Sequence, residues 1–360
     1  MKNNLKKNFW NKKKVFITGH TGFKGSWLCL FLHHLGAEVT GYSLAPNTKP
    51  NLFGLTKIEK IIKKSVIGDV RDYEKLKKEI KKSKANFVFH LAAQPLVRLS
   101  YLHPKDTFDI NFSGSLNILQ CIKEIKKIHT GIIITTDKVY DINKNKIFKE
   151  TDVLGGSDPY SASKVCVEFL YNSYQKSFFS KSDKMIATVR AGNVIGGGDW
   201  KKDRLIPDIF KSIFSNKKLI IRKPNAIRPW QHVLDCLNGY IIATEYSYKS
   251  KFTFNSWNFA PPLKNQIKVI EFIDKLRPYF KLTNKSITIK KNNFFYESER
   301  LNLVSSKAKK ELGWETILSQ KNVIQYIVNW YLHYQQYKNM KSFSTQQIIE
   351  FCKLAKRNKK

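Results

Sequence analysis

The sequence predicts an α/β fold, a doubly wound parallel sheet followed by a smaller C-terminal α/β domain. Three observations carry this. Short apolar runs alternate with helical patterns through the first half of the chain, as strands and crossover helices of a parallel sheet do. Some runs are unbroken, as the three isoleucines at 132–134 are, which fits strands buried on both faces. A glycine-spaced turn joins the first run to the first helical pattern. In order, residues 15–18 read as a strand and 25–35 as a helix. Residues 38–43, 66–67, 87–90, 131–135 and 186–190 read as strands, and 73–82, 107–127 and 159–179 as helices. After Gly192 the pattern loosens into a loop at 196–199, a helix at 205–214 and a short strand at 219–221. Helical stretches follow near 269–276, 305–312 and 323–334. The expected division is residues 1–192 for the sheet domain and 193–350 mainly for the second domain, with some segments returning to the first. Residues 351–360 form a basic tail, frayed over 353–360.

The chain has 360 residues, 42% of them hydrophobic, enough for a sizeable core. Its 64 basic and 28 acidic residues give a formal charge of +36. Lysines dominate that charge and are scattered from end to end, and no nucleic-acid module accompanies them. The charge therefore reads as a solvated surface that attracts anionic small molecules, and neither nucleic acid nor membrane is expected as a partner. Cys29, Cys121, Cys166, Cys236 and Cys352 show no metal or disulfide spacing, so no metal is expected and a reducing cytoplasm is. The basic segment 1–14 is followed by no apolar leader core, and the apolar stretch 27–32 is too short to span a bilayer.

Gly19-His20-Thr21-Gly22-Phe23-Lys24-Gly25 follows the first strand and opens the first helix. Glycines let the backbone turn tightly and approach a pyrophosphate, and the helix N-terminus offers free N–H groups and a positive dipole end. A Rossmann-type dinucleotide site is expected there. An acidic residue at the end of the second strand would hold the adenosine ribose, but Gly41-Tyr42-Ser43 stands in its place. Asp69 and Val70 follow the third strand and resemble the adenine-contacting pair of the extended short-chain dehydrogenase/reductases; Asp69 can also, or instead, cap the helix beginning near Asp72.

Tyr160 and Lys164, spaced i, i+4, share one helix face. The lysine charge is expected to lower the phenol from about 10 so that it can act as a base. Thr136, Asp137 and Lys138 lie at the end of the strand at 131–135, where open α/β sheets bind ligands. An acid beside a base suits water elimination if Asp137 stays protonated and burial lowers Lys138 to about 7–8.

These segments together resemble the CDP-glucose 4,6-dehydratases, a family of extended short-chain dehydrogenase/reductases. The resemblance rests on 18–28 (TGHTGFKGSWL), 90–98 (HLAAQPLVR), 136–140 (TDKVY), 158–164 (DPYSASK), 190–200 (RAGNVIGGGDW) and 227–233 (IRPWQHV). It runs from Phe9-Trp10 to 312–314 (LGW) and departs at Val304 and across 292–302. It implies NAD as cofactor, held by Gly19, Thr21, Gly22, Phe23, Lys24, Gly25, Asp69, Val70, Leu91, Ala92, Ala93, Tyr160 and Lys164. It implies CDP-glucose as substrate, contacted by Gln94, Arg98, Asn193, Arg204 and Arg228. Thr136, Asp137, Lys138, Tyr160 and Lys164 would be catalytic, and His20 and His90 structural. A homodimer or homotetramer is the implied assembly. Rival readings are another nucleotide-sugar 4,6-dehydratase, a 4-epimerase, and a non-catalytic protein that senses NAD or binds nucleic acid. Tyr160 disfavours the C5-inverting dehydratases, Asp137-Lys138 the epimerase, and the intact Thr136/Tyr160/Lys164 set the sensor.

Overall fold

A computed structural model describes residues 7–141, 147–250, 255–280, 286–289, 302–337 and 339–357. The start of the basic N-terminal segment, most of the divergent stretch 292–302 and the last three residues of the tail lie outside these.

Seven parallel strands form the central sheet: β1 (Lys14–Thr18), β2 (Glu38–Ser43), β3 (Lys64–Ile67), β4 (Phe87–His90), β5 (Thr130–Ile134), β6 (Met185–Ala191) and β7 (Ser256–Phe259). Their spatial order is β7-β6-β5-β4-β1-β2-β3. The chain winds outward one way from β1 through β3, then returns to start again at β4. The crevice between the carboxyl ends of β1 and β4 is therefore the topological switch point, where doubly wound sheets take their ligands. Thr18 and His90 end these two strands and pair in register. The His90 ring bridges the Thr18 hydroxyl (2.7 Å) and the Ser115 hydroxyl (3.0 Å), which fits the structural role expected for it. His20 likewise meets the Ser65 hydroxyl at 2.7 Å.

Strands β4 and β5 are buried at every position. One large apolar cluster lies on one face of the sheet and joins the helix Phe23–His34 to the helices Val233–Lys249 and Gln320–Tyr337. A second cluster covers the other face, under Tyr73–Ser83, Gly114–Glu124 and Pro159–Tyr174.

Two elements depart from the sequence reading. The helix expected over 107–127 starts at Pro104 and widens into a π-turn at Asp109–Ser113 before Gly114–Glu124. The wide turn accompanies an inward Asn111, whose side chain accepts from Gln94 N–H at 2.8 Å and donates to the Ser163 hydroxyl at 2.9 Å. The second-half segments that pack into the sheet domain include strand β7 and helix Val233–Lys249. Residues 353–357 of the tail expected to fray are instead the end of the helix Met340–Arg357. Ile348, Phe351 and Ala355 recur along one face and are buried, which anchors it.

Candidate active site

The carboxyl ends of the strands open into one cleft of about 690 Å³. Its floor is the glycine turn. Gly19 has φ +77°, and a Cβ there would lie 2.8 Å from Ala92 N; a Cβ on Gly25 would lie 2.0 Å from Gly19 O. The turn is thus closed to any side chain at these two positions. Gly22, the N-cap of Phe23–His34, supplies no side-chain cap, and no acidic residue sits in the first turn. The orphan N–H groups and positive dipole end are left for an anion. Gly19, Thr21, Gly22, Phe23, Lys24, Gly25, Asp69, Val70, Leu91, Ala92 and Ala93 all line the cleft, as a pyrophosphate-linked cofactor requires.

Where an acidic side chain was looked for, Ser43 ends β2. Its hydroxyl meets Thr21 Oγ1 at 2.9 Å, and Thr21 donates to Leu44 O at 2.8 Å. Neutral hydroxyls and the turn 44–48 line this end. Asp69 does not cap the next helix. Asp72 does, accepting from Lys75 N–H at 3.1 Å, while Asp69 holds Arg71 through two side-chain nitrogens and the main chain.

The acid–base residues meet over β5. Asp158 caps the helix Pro159–Tyr174 by accepting from Ser161 N–H at 3.0 Å, and Pro159 occupies its first turn, so Tyr160 is presented at the cleft wall. Thr136, Asp137, Lys138 and Tyr160 line the cleft; Lys164 lies beneath it. The Thr136 hydroxyl donates to Asp137 Oδ1 at 3.0 Å. Burial pushes the Asp137 carboxyl above its ordinary range, against the opposing pull of Lys138, Thr136, Arg228 and Lys24. That is the direction a proton donor needs. Lys138 is half-buried rather than enclosed.

Tyr160 reverses one expectation. Burial raises its phenol to about 12, with the Thr136 hydrogen bond opposing. Lys164 donates to Ile134 O at 3.1 Å, and burial and Lys24 pull the lysine down to about 8 against the raising influence of Glu168. Desolvation sets the direction for the phenol.

The second half closes the cleft with Asn193, Arg204 and Arg228. Arg204 pairs with Asp199 at 2.9 Å, and Arg228 is buried. Of the two candidates that follow β4, one lines the cleft and the other does not. Arg98 is not a wall residue; its guanidinium binds Asp203 at 3.0 Å across the cleft edge. Gln94 reaches the cleft, but its amide is committed to Thr107 Oγ1, Leu96 O and Leu96 N–H, so it shapes its own loop. Arg222 was missed. It lines the cleft and shares Asp203 with Arg98, at 2.7 Å; an isolated arginine among Lys217, Lys218 and Lys223 gives no spacing to read. Among the described residues no group of His, Cys, Asp or Glu could hold a metal.

A sheet of this order with an open glycine turn at its switch point defines a dinucleotide-binding enzyme class, and the buried Asp–Thr–Tyr cluster gives that class acid–base chemistry. Comparison with known proteins narrows it. The family profile described as GDP-mannose 4,6 dehydratase matches residues 16–327, and the chain belongs to this family of nucleotide-sugar dehydratases. CDP-glucose 4,6-dehydratase of Salmonella typhimurium is 42% identical over 96% of this chain and 98% of its own length. dTDP-glucose 4,6-dehydratase of Shigella flexneri is 24% identical over 94% and 98%. In fold, the chain is similar to dTDP-glucose 4,6-dehydratase from Bacillus anthracis, solved with NAD (TM-score 0.75, 22% identity, 92% of this chain and 99% of that one). UDP-glucuronic acid 4-epimerase from Bacillus cereus, solved with UDP-glucuronic acid and NAD, gives a TM-score of 0.77 at 22% identity over 89% and 99%.

Proposed function

We propose that the chain dehydrates CDP-glucose to CDP-4-keto-6-deoxyglucose with NAD as a recycled cofactor, in deoxysugar synthesis for surface polysaccharide. The observation that carries this reading is the raised, buried Asp137 beside Lys138 in the cleft that also holds Tyr160. The glycine turn, uncapped helix N-terminus and Ala92–Ala93 wall fit NAD; residues 1–192 would hold it, and mainly 193–350 the nucleotide sugar. Asn193, Arg204 and Arg228 are suited to the diphosphate, Arg204 through a guanidinium that Asp199 already orients.

The cofactor supplies a two-electron acceptor that gives back what it takes. Tyr160 would receive the C4 hydroxyl proton as its phenolate, a form that burial alone disfavours and that the positive charge of the oxidised cofactor would favour once bound, with Thr136 orienting the hydroxyl. Lys138 takes the C5 proton, acidified by the new ketone. Asp137 gives its proton to the departing C6 hydroxyl, and water leaves. A reductive return at C6 and a proton at C5 complete the product with no net oxidation. Cytoplasmic placement suits the free cysteines, and no helix among the described residues is long and apolar enough to cross a membrane. We infer a dimer or tetramer from the resemblance alone.

The test is incubation with CDP-glucose and catalytic NAD, followed by detection of the 4-keto-6-deoxy product. Product from dTDP- or UDP-glucose but not from CDP-glucose would move the reading to another dehydratase; a C4 epimer with no loss of water would end it.

A further inference from the structure

Behind the cleft, and outside its lining, a carboxylate and a guanidinium are sealed in the core. Glu168 lies one turn beyond Lys164 on the helix Pro159–Tyr174, and Arg190 lies on β6; their side chains are 2% and 4% exposed. The pair is bidentate, with Arg190 Nε on Oε1 and Nη2 on Oε2, both at 2.9 Å. Each carboxylate oxygen takes one hydroxyl besides: Thr135 donates to Oε1 at 2.6 Å and Thr188 to Oε2 at 2.9 Å. The third arginine nitrogen, Nη1, donates to the Tyr140 hydroxyl at 2.8 Å, and that hydroxyl donates to Asn258 Oδ1 at 2.7 Å on β7.

Thr135 and Tyr140 are the residues on either side of the acid–base segment 136–139. Both are held by this one ion pair, whose carboxylate rides on the helix that carries Tyr160 and Lys164. We infer that Glu168 and Arg190 are positioning residues that fix the Asp137/Lys138 segment against the Tyr160/Lys164 helix, through Thr135 at one end and Tyr140 at the other. The inference rests on the dehydratase reading for its kinetic consequence, and on geometry alone for its structural one.

A buried pair is weak evidence for stability, because desolvation offsets much of the attraction. Here the pair joins the helix to β6, and its three hydroxyl partners lie on β6 (Thr188) and on the segment after β5 (Thr135 and Tyr140), so its effect is to fix a relative position. Losing the hold at one end lets the acid–base segment drift, and a misplacement near 1 Å at a reacting group costs about 10²-fold in rate.

The variants are Thr135→Val, which keeps the shape and leaves the ion pair intact, Thr135→Ser, which restores the hydroxyl, and Tyr140→Phe. Glu168→Gln leaves Arg190 buried without its counter-charge and serves only if it folds. With CDP-glucose, Thr135→Val and Tyr140→Phe are expected to lower kcat about 10-fold with KM within about twofold, and Thr135→Ser to recover most of the loss. Backbone hydrogen exchange over 136–140 should quicken in both deficient variants while exchange in β4 and β6 stays at the parent level. A parent kcat in both variants, or unchanged exchange over 136–140, overturns the inference. Should the parent itself fail on CDP-glucose, the dehydratase reading falls, and the exchange result alone decides whether the pair holds the segment.

Discussion

Gly192 follows β6 with a backbone that alanine tolerates, since its φ is outside the left-handed region. A Cβ there would stand 2.8 Å from Asp137 Oδ2 and 3.1 Å from Pro229 Cγ. Ordinary contact begins near 3.4 Å, so Gly192→Ala pushes the carboxylate by about 0.6 Å, less than the roughly 1 Å that costs about 10²-fold near a reacting group. The closer contact is with the free end of a side chain and the Pro229 ring need give only about 0.3 Å, so the fold accommodates it and most of the strain falls on the proton donor. The expected result is folding at nearly parent stability with elimination slowed about 10-fold. Single-turnover absorbance of the reduced nicotinamide reads this: its rise, which reports C4 oxidation, should keep the parent rate, while its decay slows. Decay at the parent rate would refute the placement of Asp137 as donor. Loss of the rise would show that Asp137 serves the oxidation instead.

Lys138→Ala should oxidise C4 and then stall with reduced cofactor bound, lowering kcat about 10²- to 10⁴-fold; turnover at the parent rate in steady-state assay would make Lys138 a solvated lysine. Tyr160→Phe should abolish the single-turnover rise that Lys138→Ala preserves, and equal rises in the two variants would reverse the assigned roles. Acid should destabilise the fold through three buried histidines, since burial lowers His20 to about 4 and both His90 and His232 to about 3. Their folded pKa values lie below the unfolded 6.5, so the unfolded chain binds more protons as pH falls from 6.5 toward these values, and stability falls with it. The upper bound is about 2 kcal/mol each at pH 5, and calorimetry from pH 7.5 to 5 should show Tm dropping, less steeply in His90→Gln. Bound diphosphates should raise Lys164 from about 8, set first by burial and then by Lys24, so NAD binding near pH 8.5 should take up protons. Titration calorimetry in two buffers of different ionisation enthalpy measures this, and equal heats in both would remove the linkage.

The strands of the first half were legible because a parallel sheet buries both faces, which leaves runs such as those of β4 and β5 with no polar break. The glycine turn and the cap at Asp158-Pro159 were legible because backbone geometry dictates their residue types. Helix Val233–Lys249 was not. It is buried on nearly every side, so it carries no amphipathic period to read. Strand β7 contributes four residues, Ser-Trp-Asn-Phe, whose polar members are buried by pairing with β6 and by Glu150, and nothing local marks them as interior. The position of Gln94 and Arg98 after β4 points both to the cleft, which Gln94 lines and Arg98 does not, and their partners Asp203 for Arg98 and Thr107 for Gln94 are 105 and 13 residues away. Spacing along the chain carried no trace of the first of these contacts.

The acid–base cluster shows the same division between geometry and energy. An i, i+4 Tyr/Lys pair fixes that two groups share a helix face, and the structure keeps Tyr160 at the cleft with Lys164 beneath it. It does not fix the dielectric around them. Burial of both groups moves the phenol up to about 12 and the lysine down to about 8, so at neutral pH the lysine remains cationic, but its first engagement is with the Ile134 carbonyl. A lysine held on a carbonyl exerts its charge from one place, and Glu168, one turn along, sustains that charge by raising the lysine's affinity for its proton. The carboxylate that braces the segment 136–139 is therefore also a support of the cation beneath Tyr160. One buried group, outside the cleft and outside the i, i+4 pattern that marks the helix, thus bears on both position and protonation, although burial and Lys24 weigh more on the lysine than it does.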